Sequence, residues 1–367
     1  MEKAKNAAVL AVFLAFLFGV AFLFAVLPDS ALSFAERRRL AQRPGLSAGA
    51  VLDGSFMDDL EAYLLDQFPG RDGWRALNAA LRLGLLRRLD SGGIYLIGDA
   101  VFKLEYPLKE GQVRAAAEKI AEVYGMYLSG MKVCWSIVPD RNYFAAEQSG
   151  RPALDYDRLL QLMKEGVPAE LSYVDLFGEL SEDDYFRTDP HWRQDRVLKI
   201  AQKLADAMGA DAALTEEDFT AHELSPFYGA YWGQSALPVA PDTLVYLESG
   251  YTRSATVESA DRPGEVLPVY TVERFSGMDG YDVFLDGAAS VLTITCETAP
   301  TDRELVIFRD SNASSLAPLL LGAYAKITLV DLRYIRADMV GNYVDFAHQD
   351  VLFLYGVPVL NSGGILK

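Results

Sequence analysis

Cysteine and histidine are scarce: two of the first and three of the second in 367 residues. Cys134 and Cys296 are too few for the disulfide framework of a small secreted domain. Cys134 also lies within the apolar run Val133–Val138, the setting of a buried thiol. His222 and His348 lack neighbours at metal-ligand spacing, and no metal site is expected. Neither a phosphate-cradling glycine loop nor a dinucleotide fingerprint is present, and no cofactor is expected. Positive charge is short as well: 34 Lys and Arg face 51 Asp and Glu, a net charge of −17. Phosphate backbones are bound by Lys and Arg, so this balance argues against nucleic acid as a partner. It leaves a glycan open, since a glycan can be neutral. No repeat or low-complexity tract is visible. At 51% hydrophobic and 23% charged residues the composition is globular, and the length suffices for one large domain or two.

Charge is absent altogether from Ala7 to Leu27. As a helix this stretch rises about 31 Å, enough to cross a hydrocarbon core. Lys3 and Lys5 precede it, so the N-terminus is expected to stay cytoplasmic and the rest to be exported. The run exceeds the apolar core of an ordinary signal peptide, which favours a retained anchor. Ala31-Leu32-Ser33 is a small-x-small site, and cleavage there is the rival reading. Residues 1–32 therefore read as a cytoplasmic tip and transmembrane anchor.

Residues 33–110 read as a polar connector and a helical segment, with an apolar stripe at Phe56, Leu60, Leu64 and Phe68. From 111 to 367 strand-like and helix-like runs alternate, the sign of a parallel α/β sheet. The strands are expected at 133–138, 171–176, 304–308, 327–332 and 351–355. Helices are expected at 110–128, 155–164, 194–208, 314–324 and 336–347. Residues 215–295 break the alternation with Gly, Pro, Tyr and short β-like runs, and read as a β-rich insertion.

Two short stretches carry chemistry. Asp189-Pro190-His191 offers a carboxylate two residues from an imidazole, an arrangement that can hold one tautomer. Ser311 follows the apolar run Glu304–Phe308 and precedes a helical run, at the strand edge where open α/β sheets bind ligands. A serine there can attack an acyl group, and its N–H near a helix start suits an oxyanion. The plainer alternatives are an N-cap at Ser311 and a turn shaped by Asp189-Pro190. Trp192 reads as packing. Arg309, Asn312, Asp140, Arg141 and Arg333 are candidate substrate or oxyanion contacts, with Asn361 a further amide of unfixed position. Gly98-Asp99-Ala100 copies a Gly-Asp-Ser motif but has no nucleophile.

Thr188-Asp189-Pro190-His191-Trp192 resembles the Thr-Asp-His-His-Trp signature of the DHHW proteins. These belong to the SGNH-hydrolase-like group that includes the alginate O-acetylation proteins. The resemblance continues, in order, through Glu36–Ala41 with Asp66–Asp72, Val138–Arg141, Tyr281–Gly287, and Arg309-Asp310-Ser311 with Asp331–Tyr334. Pro190 departs from the family's first histidine, and Arg309 stands where the wider group has glycine. The resemblance implies an SGNH-like doubly wound parallel sheet flanked by helices. It also implies Ser311 as nucleophile, His191 as base and Asp189 as its orienter. The implied activity is a membrane-anchored, extracytoplasmic O-acyltransferase or esterase acting on a cell-envelope glycan, with acyl groups delivered by a separate membrane protein. The alternatives are a non-catalytic envelope module that binds glycan or partner proteins, and an exported scaffold that shares only the architecture.

Overall fold

The computed structural model describes residues 2–210 and 215–367. The chain forms two units, one running to Ser91 with Gly233–Pro238, the other comprising Gly92–Trp232 with Val239–Lys367.

In the first unit, helix α1 (Glu2–Val26) contains an 18-residue stretch of mean hydropathy 2.9 and buries none of its residues. By length and composition it is a candidate membrane anchor or signal sequence. Helices α2 (Ser55–Asp66) and α3 (Arg71–Ala80) follow. The two N-terminal motifs turn out to be one ionic cluster. Glu36 pairs with Arg71 and, at 3.3 Å, with Arg75. Arg38 grips Asp66 with both guanidinium arms, at 2.8 and 2.5 Å, and Ala41 N–H donates to the same carboxylate at 2.8 Å. The Arg38 hydrogen bonds hold the Asp66 carboxyl down at about 2.

The second unit is built on an eight-stranded sheet. Its strands are β1 (Val133–Val138), β2 (Ser172–Tyr173), β3 (Thr256–Ser259), β4 (Arg262–Pro268), β5 (Val291–Thr295), β6 (Glu304–Arg309), β7 (Lys326–Val330) and β8 (Asp350–Gly356). The spatial order is β4-β3-β5-β7-β6-β8-β1-β2. From β7 to β2 all neighbours are parallel, with Leu305 opposite Ile327 and Asp350, and Val351 opposite Val133. The other three strands extend the sheet antiparallel, with Leu292 opposite Leu329.

A parallel block needs cover on both faces, which is why its strands are almost unbroken apolar runs. Helices α4 (Glu110–Val123) and α5 (Tyr156–Gly166) bury Ile120 and Leu159 on one face, with Trp135, Phe308 and Phe353. Helices α6 (Leu198–Ala207) and α7 (Asn312–Leu316) bury Leu204 and Leu316 on the other, with Ile307, Leu329 and Leu352. Cys134 and Cys296 are both buried free thiols.

Element boundaries differ from expectation in places. The strand expected over 171–176 is confined to Ser172–Tyr173 at the sheet edge. The helix expected over 194–208 begins as a 3-10 turn, Gln194–Arg196, before α6. The one expected over 314–324 is α7 followed by a 3-10 turn, Ala317–Leu320, because Pro318 has no N–H to continue an α-helix. The one expected over 336–347 shrinks to a 3-10 segment, Ala337–Asn342, where Gly341 and Asn342 are poor helix formers. Within 215–295, Thr220–Phe227 and Asp242–Glu248 form a separate hairpin, while β3, β4 and β5 join the central sheet.

Candidate active site

The parallel strands end along one edge. There β6 releases Asp310-Ser311, β7 releases Asp331 and β1 leads to Asp140-Arg141. Asp310 shapes the turn after β6. Its Oδ1 accepts the Asn312 N–H at 2.9 Å and its Oδ2 accepts the Gly356 N–H, at the end of β8, at 2.6 Å. Ser311 is thereby released from capping α7: its side chain makes no cap hydrogen bond. Its Oγ instead lies 2.7 Å from His191 Nε2.

His191 sits in a tight loop closed by antiparallel pairing of Tyr185 with Trp192. Its Nδ1 is 2.5 Å from Asp189 Oδ1. An ionised carboxylate only accepts, so Nδ1 carries the proton and Nε2 keeps its lone pair for the Ser311 hydroxyl. Asp189 is fully buried, and its other oxygen accepts the Ala230 N–H at 2.8 Å. Thr188 anchors the loop: its N–H and Oγ1 both donate to Asp242 Oδ2, at 2.8 and 2.6 Å. Its carbonyl accepts the Tyr231 N–H at 2.9 Å. The segment 229–231 passes so close that a Cβ on Gly229 would lie 2.2 Å from Thr188 O. Pro190 needs no N–H here, and the imidazole at 191 reaches both partners.

Tyr281 lies flat against the His191 ring, centroids 3.8 Å apart and planes 7° from parallel. Its hydroxyl donates to Ser315 Oγ at 2.8 Å. The buried Trp192 packs as expected, and its Nε1–H donates to Asn312 O at 3.1 Å. Asp242, Gly229, Ala230 and the stacking of Tyr281 had no signal in the sequence beyond the last residue's place in a resembling segment.

The remaining candidates are committed elsewhere. Arg309 is 1% exposed, lies behind the Ser311 turn and donates to Ser314 Oγ at 3.1 Å. Its Nε and Nη2 find no acceptor among the described residues, and burial pulls its pKa down. Arg333 clasps Asp331 at 2.9 and 2.6 Å. Asn312 Nδ2 is tied to Asp310 at 3.0 Å. Arg141 donates to the carbonyls of Phe186 and Arg187, at 3.0 and 3.1 Å, and to Glu182 at 2.9 Å. It therefore supports the loop that carries Asp189. Asn361 is spent on Lys109 N–H, Glu105 and Pro107 O.

Asp140 is half-buried and accepts from Tyr156 Oη at 2.5 Å and Asn142 Nδ2 at 3.0 Å, and forms no ion pair among the described residues. Burial pushes its carboxyl up to about 6 from 3.8. A raised carboxyl favours the protonated folded state. Its contribution is full below pH 3.8 and is lost as pH rises through 6. The loss is at most about 3 kcal/mol. Asp140→Asn is expected to flatten the stability–pH slope between pH 4 and 6, read by denaturant titration. An unchanged slope would show that Asp140 ionises freely.

No family model matches the chain, and none of the curated proteins matches it. Solved structures do share its fold. A DHHW family protein from Eubacterium siraeum has a TM-score of 0.61 at 18% identity, over 75% of this chain and 95% of that one. PatB1 of Bacillus cereus has a TM-score of 0.60 at 18% identity, over 75% and 98%. PatB1 with a sulfonyl adduct has a TM-score of 0.58 at 18% identity, over 75% and 99%. The fold is thus that of structures that include the family the five motifs resemble.

Proposed function

We propose that this chain is an extracytoplasmic serine O-acyltransferase, anchored in the cytoplasmic membrane by α1, that acts on a cell-envelope glycan. The observation that carries the reading is the unbroken hydrogen-bond line from Asp189 through His191 to Ser311. Ser311 Oγ attacks the acyl carbonyl of a donor while His191 Nε2 takes the hydroxyl proton. The Ser311 N–H, at the first turn of α7, meets the oxyanion. The leaving group departs with the proton returned by His191, and an acyl-serine remains. A sugar hydroxyl then attacks it, loses its proton to His191, and Ser311 leaves with that proton. Water as acceptor would make the same site an esterase. A separate membrane protein supplies the acyl groups. The shared fold with PatB1, which has been captured with a sulfonyl adduct, supports an activated nucleophile here.

A sulfonyl fluoride is the direct test. The wild-type chain is expected to gain one adduct on the Ser311 peptide and to lose turnover of an acyl ester. Mass analysis of an added envelope glycan then separates transfer from hydrolysis. A folded chain that takes no adduct and turns over no ester would instead be a binding module.

A further inference from the structure

We infer that Tyr231 is an acceptor-binding residue of this site, its phenol hydroxyl hydrogen-bonding a hydroxyl of the sugar that takes the acyl group from Ser311. The inference rests on the acyl-transfer reading above and adds where the acceptor is held. Tyr231 is fixed to the catalytic loop by its backbone. Its N–H donates to Thr188 O at 2.9 Å, next to the Ala230 N–H that holds the Asp189 carboxylate at 2.8 Å. The Gly229 N–H donates to Thr188 Oγ1 at 3.1 Å, so three successive residues are pinned to that loop. The ring is half-buried, and its hydroxyl feels Asp140, Asp189, Glu105 and Arg141. Burial first, then the three carboxylates, push the phenol pKa up against the opposing pull of Arg141. The hydroxyl therefore stays protonated and able to donate.

Its lack of a partner sets Tyr231 apart. Other tyrosine hydroxyls of this region are spent: Tyr156 on Asp140 at 2.5 Å, Tyr185 on Pro139 O at 2.5 Å and Tyr281 on Ser315 at 2.8 Å. The Tyr231 hydroxyl makes no hydrogen bond among the described residues and, unlike Tyr355 Oη, is reachable from solvent. A ring that only packed would need no hydroxyl, and an enclosed polar group ordinarily finds a partner. Glu105 offers the complement. Its Oε1 accepts Asn361 Nδ2 at 2.8 Å, while its Oε2 makes no hydrogen bond among the described residues. A phenol donor near a carboxylate acceptor suits a sugar hydroxyl, which both accepts and donates. The acyl group itself offers one polar atom, its carbonyl oxygen, and the Ser311 N–H is assigned to that. Asp140 follows β1 and Ser311 follows β6, with β8 between them. Two strand spacings are about 10 Å, the width of a bound sugar rather than of a small acyl group.

Tyr231→Phe in the full chain tests this, with p-nitrophenyl acetate as donor and chitotetraose or cellotetraose as acceptor. The hydroxyl bonds nothing in the fold, so the melting temperature is expected to stay at the wild-type value. Sulfonyl fluoride labelling of Ser311 is expected to keep its rate. The partition of acyl groups to saccharide over water is expected to fall about five- to tenfold, mainly through a higher KM for the saccharide. An unchanged partition would overturn the inference and leave Tyr231 as packing. Equal loss of labelling and transfer would also overturn it, since the hydroxyl would then serve acylation. A wild-type chain that takes the sulfonyl adduct yet passes acyl groups only to water would overturn it while sparing the nucleophile. Absence of the adduct would instead remove the acyl-transfer reading, and this inference with it.

Discussion

Ser311→Ala is expected to lower acyl transfer by about three to six orders of magnitude while leaving thermal stability within about 0.5 kcal/mol of wild type. The stability half follows from Asp310. That residue, not Ser311, accepts the Asn312 N–H at the head of α7. Removing a hydroxyl that caps nothing costs the fold little, whereas removing a capping one costs about 1 kcal/mol. The activity half follows from His191 Nε2, which has the Ser311 hydroxyl as its partner at 2.7 Å. Nucleophile and base act as a unit, so Ser311→Ala, His191→Ala and the double variant are expected to share one residual rate. Turnover of an acyl ester, paired with the melting temperature of each variant, decides. A Ser311→Ala chain that melts earlier yet turns over normally would sink the enzyme reading and restore the cap.

Much of this site is legible in the chain because the chemistry is local. Asp189 and His191 are two residues apart, and a carboxylate at that spacing can reach Nδ1 across a turn. Ser311 is marked by the change from an apolar strand to a helix. What is not legible is what holds these groups still. The donors to Asp189 and Thr188 come from Ala230 and Gly229, both 41 positions on, and the carboxylate under Thr188 is 54 positions on, at Asp242. With 29 glycines in the chain, nothing in the sequence singles out Gly229 as one that must pass a backbone carbonyl at contact distance.

Charge misleads in the same way. Arg141 follows β1 and Arg309 ends β6 at the right edge, yet one turns inward onto loop carbonyls and the other lies under the Ser311 turn. Position along a strand end tells where a residue is, and only tertiary packing tells where its guanidinium goes. The region 215–295 shows the complementary case. Its short β-like runs do form strands, but which of them pairs with the central sheet depends on the register of Leu292 with Leu329, a contact no local pattern announces.

The second large effect is expected at Asp189, and it separates orientation from mere burial. Asp189→Asn keeps the size of the side chain and changes only which atoms accept. In the native site one oxygen faces His191 Nδ1 at 2.5 Å and the other faces the Ala230 N–H at 2.8 Å. An amide has one oxygen, so one of these contacts must become donor against donor. Facing Nδ2 toward the Ala230 N–H leaves two fixed donors opposed in a fully buried site, a cost of about 1–3 kcal/mol. Facing the oxygen toward Ala230 leaves only the weaker opposition of Nδ2 to the His191 backbone N–H, 3.2 Å from that position, because the imidazole can move its proton and the backbone cannot. The amide N–H then meets a bare Nδ1, His191 is held as the Nε2–H tautomer, and its proton points at Ser311 Oγ. A base already protonated on that nitrogen cannot take the serine proton. The rate constant for acylation is therefore expected to fall by about four orders of magnitude with the fold intact. Sulfonyl fluoride labelling of Ser311 is expected to slow in parallel, since it needs the same proton transfer. The readout is the acylation rate of Asp189→Asn against its melting temperature. A fall of less than tenfold at wild-type stability would mean that the carboxylate does not set the tautomer of His191.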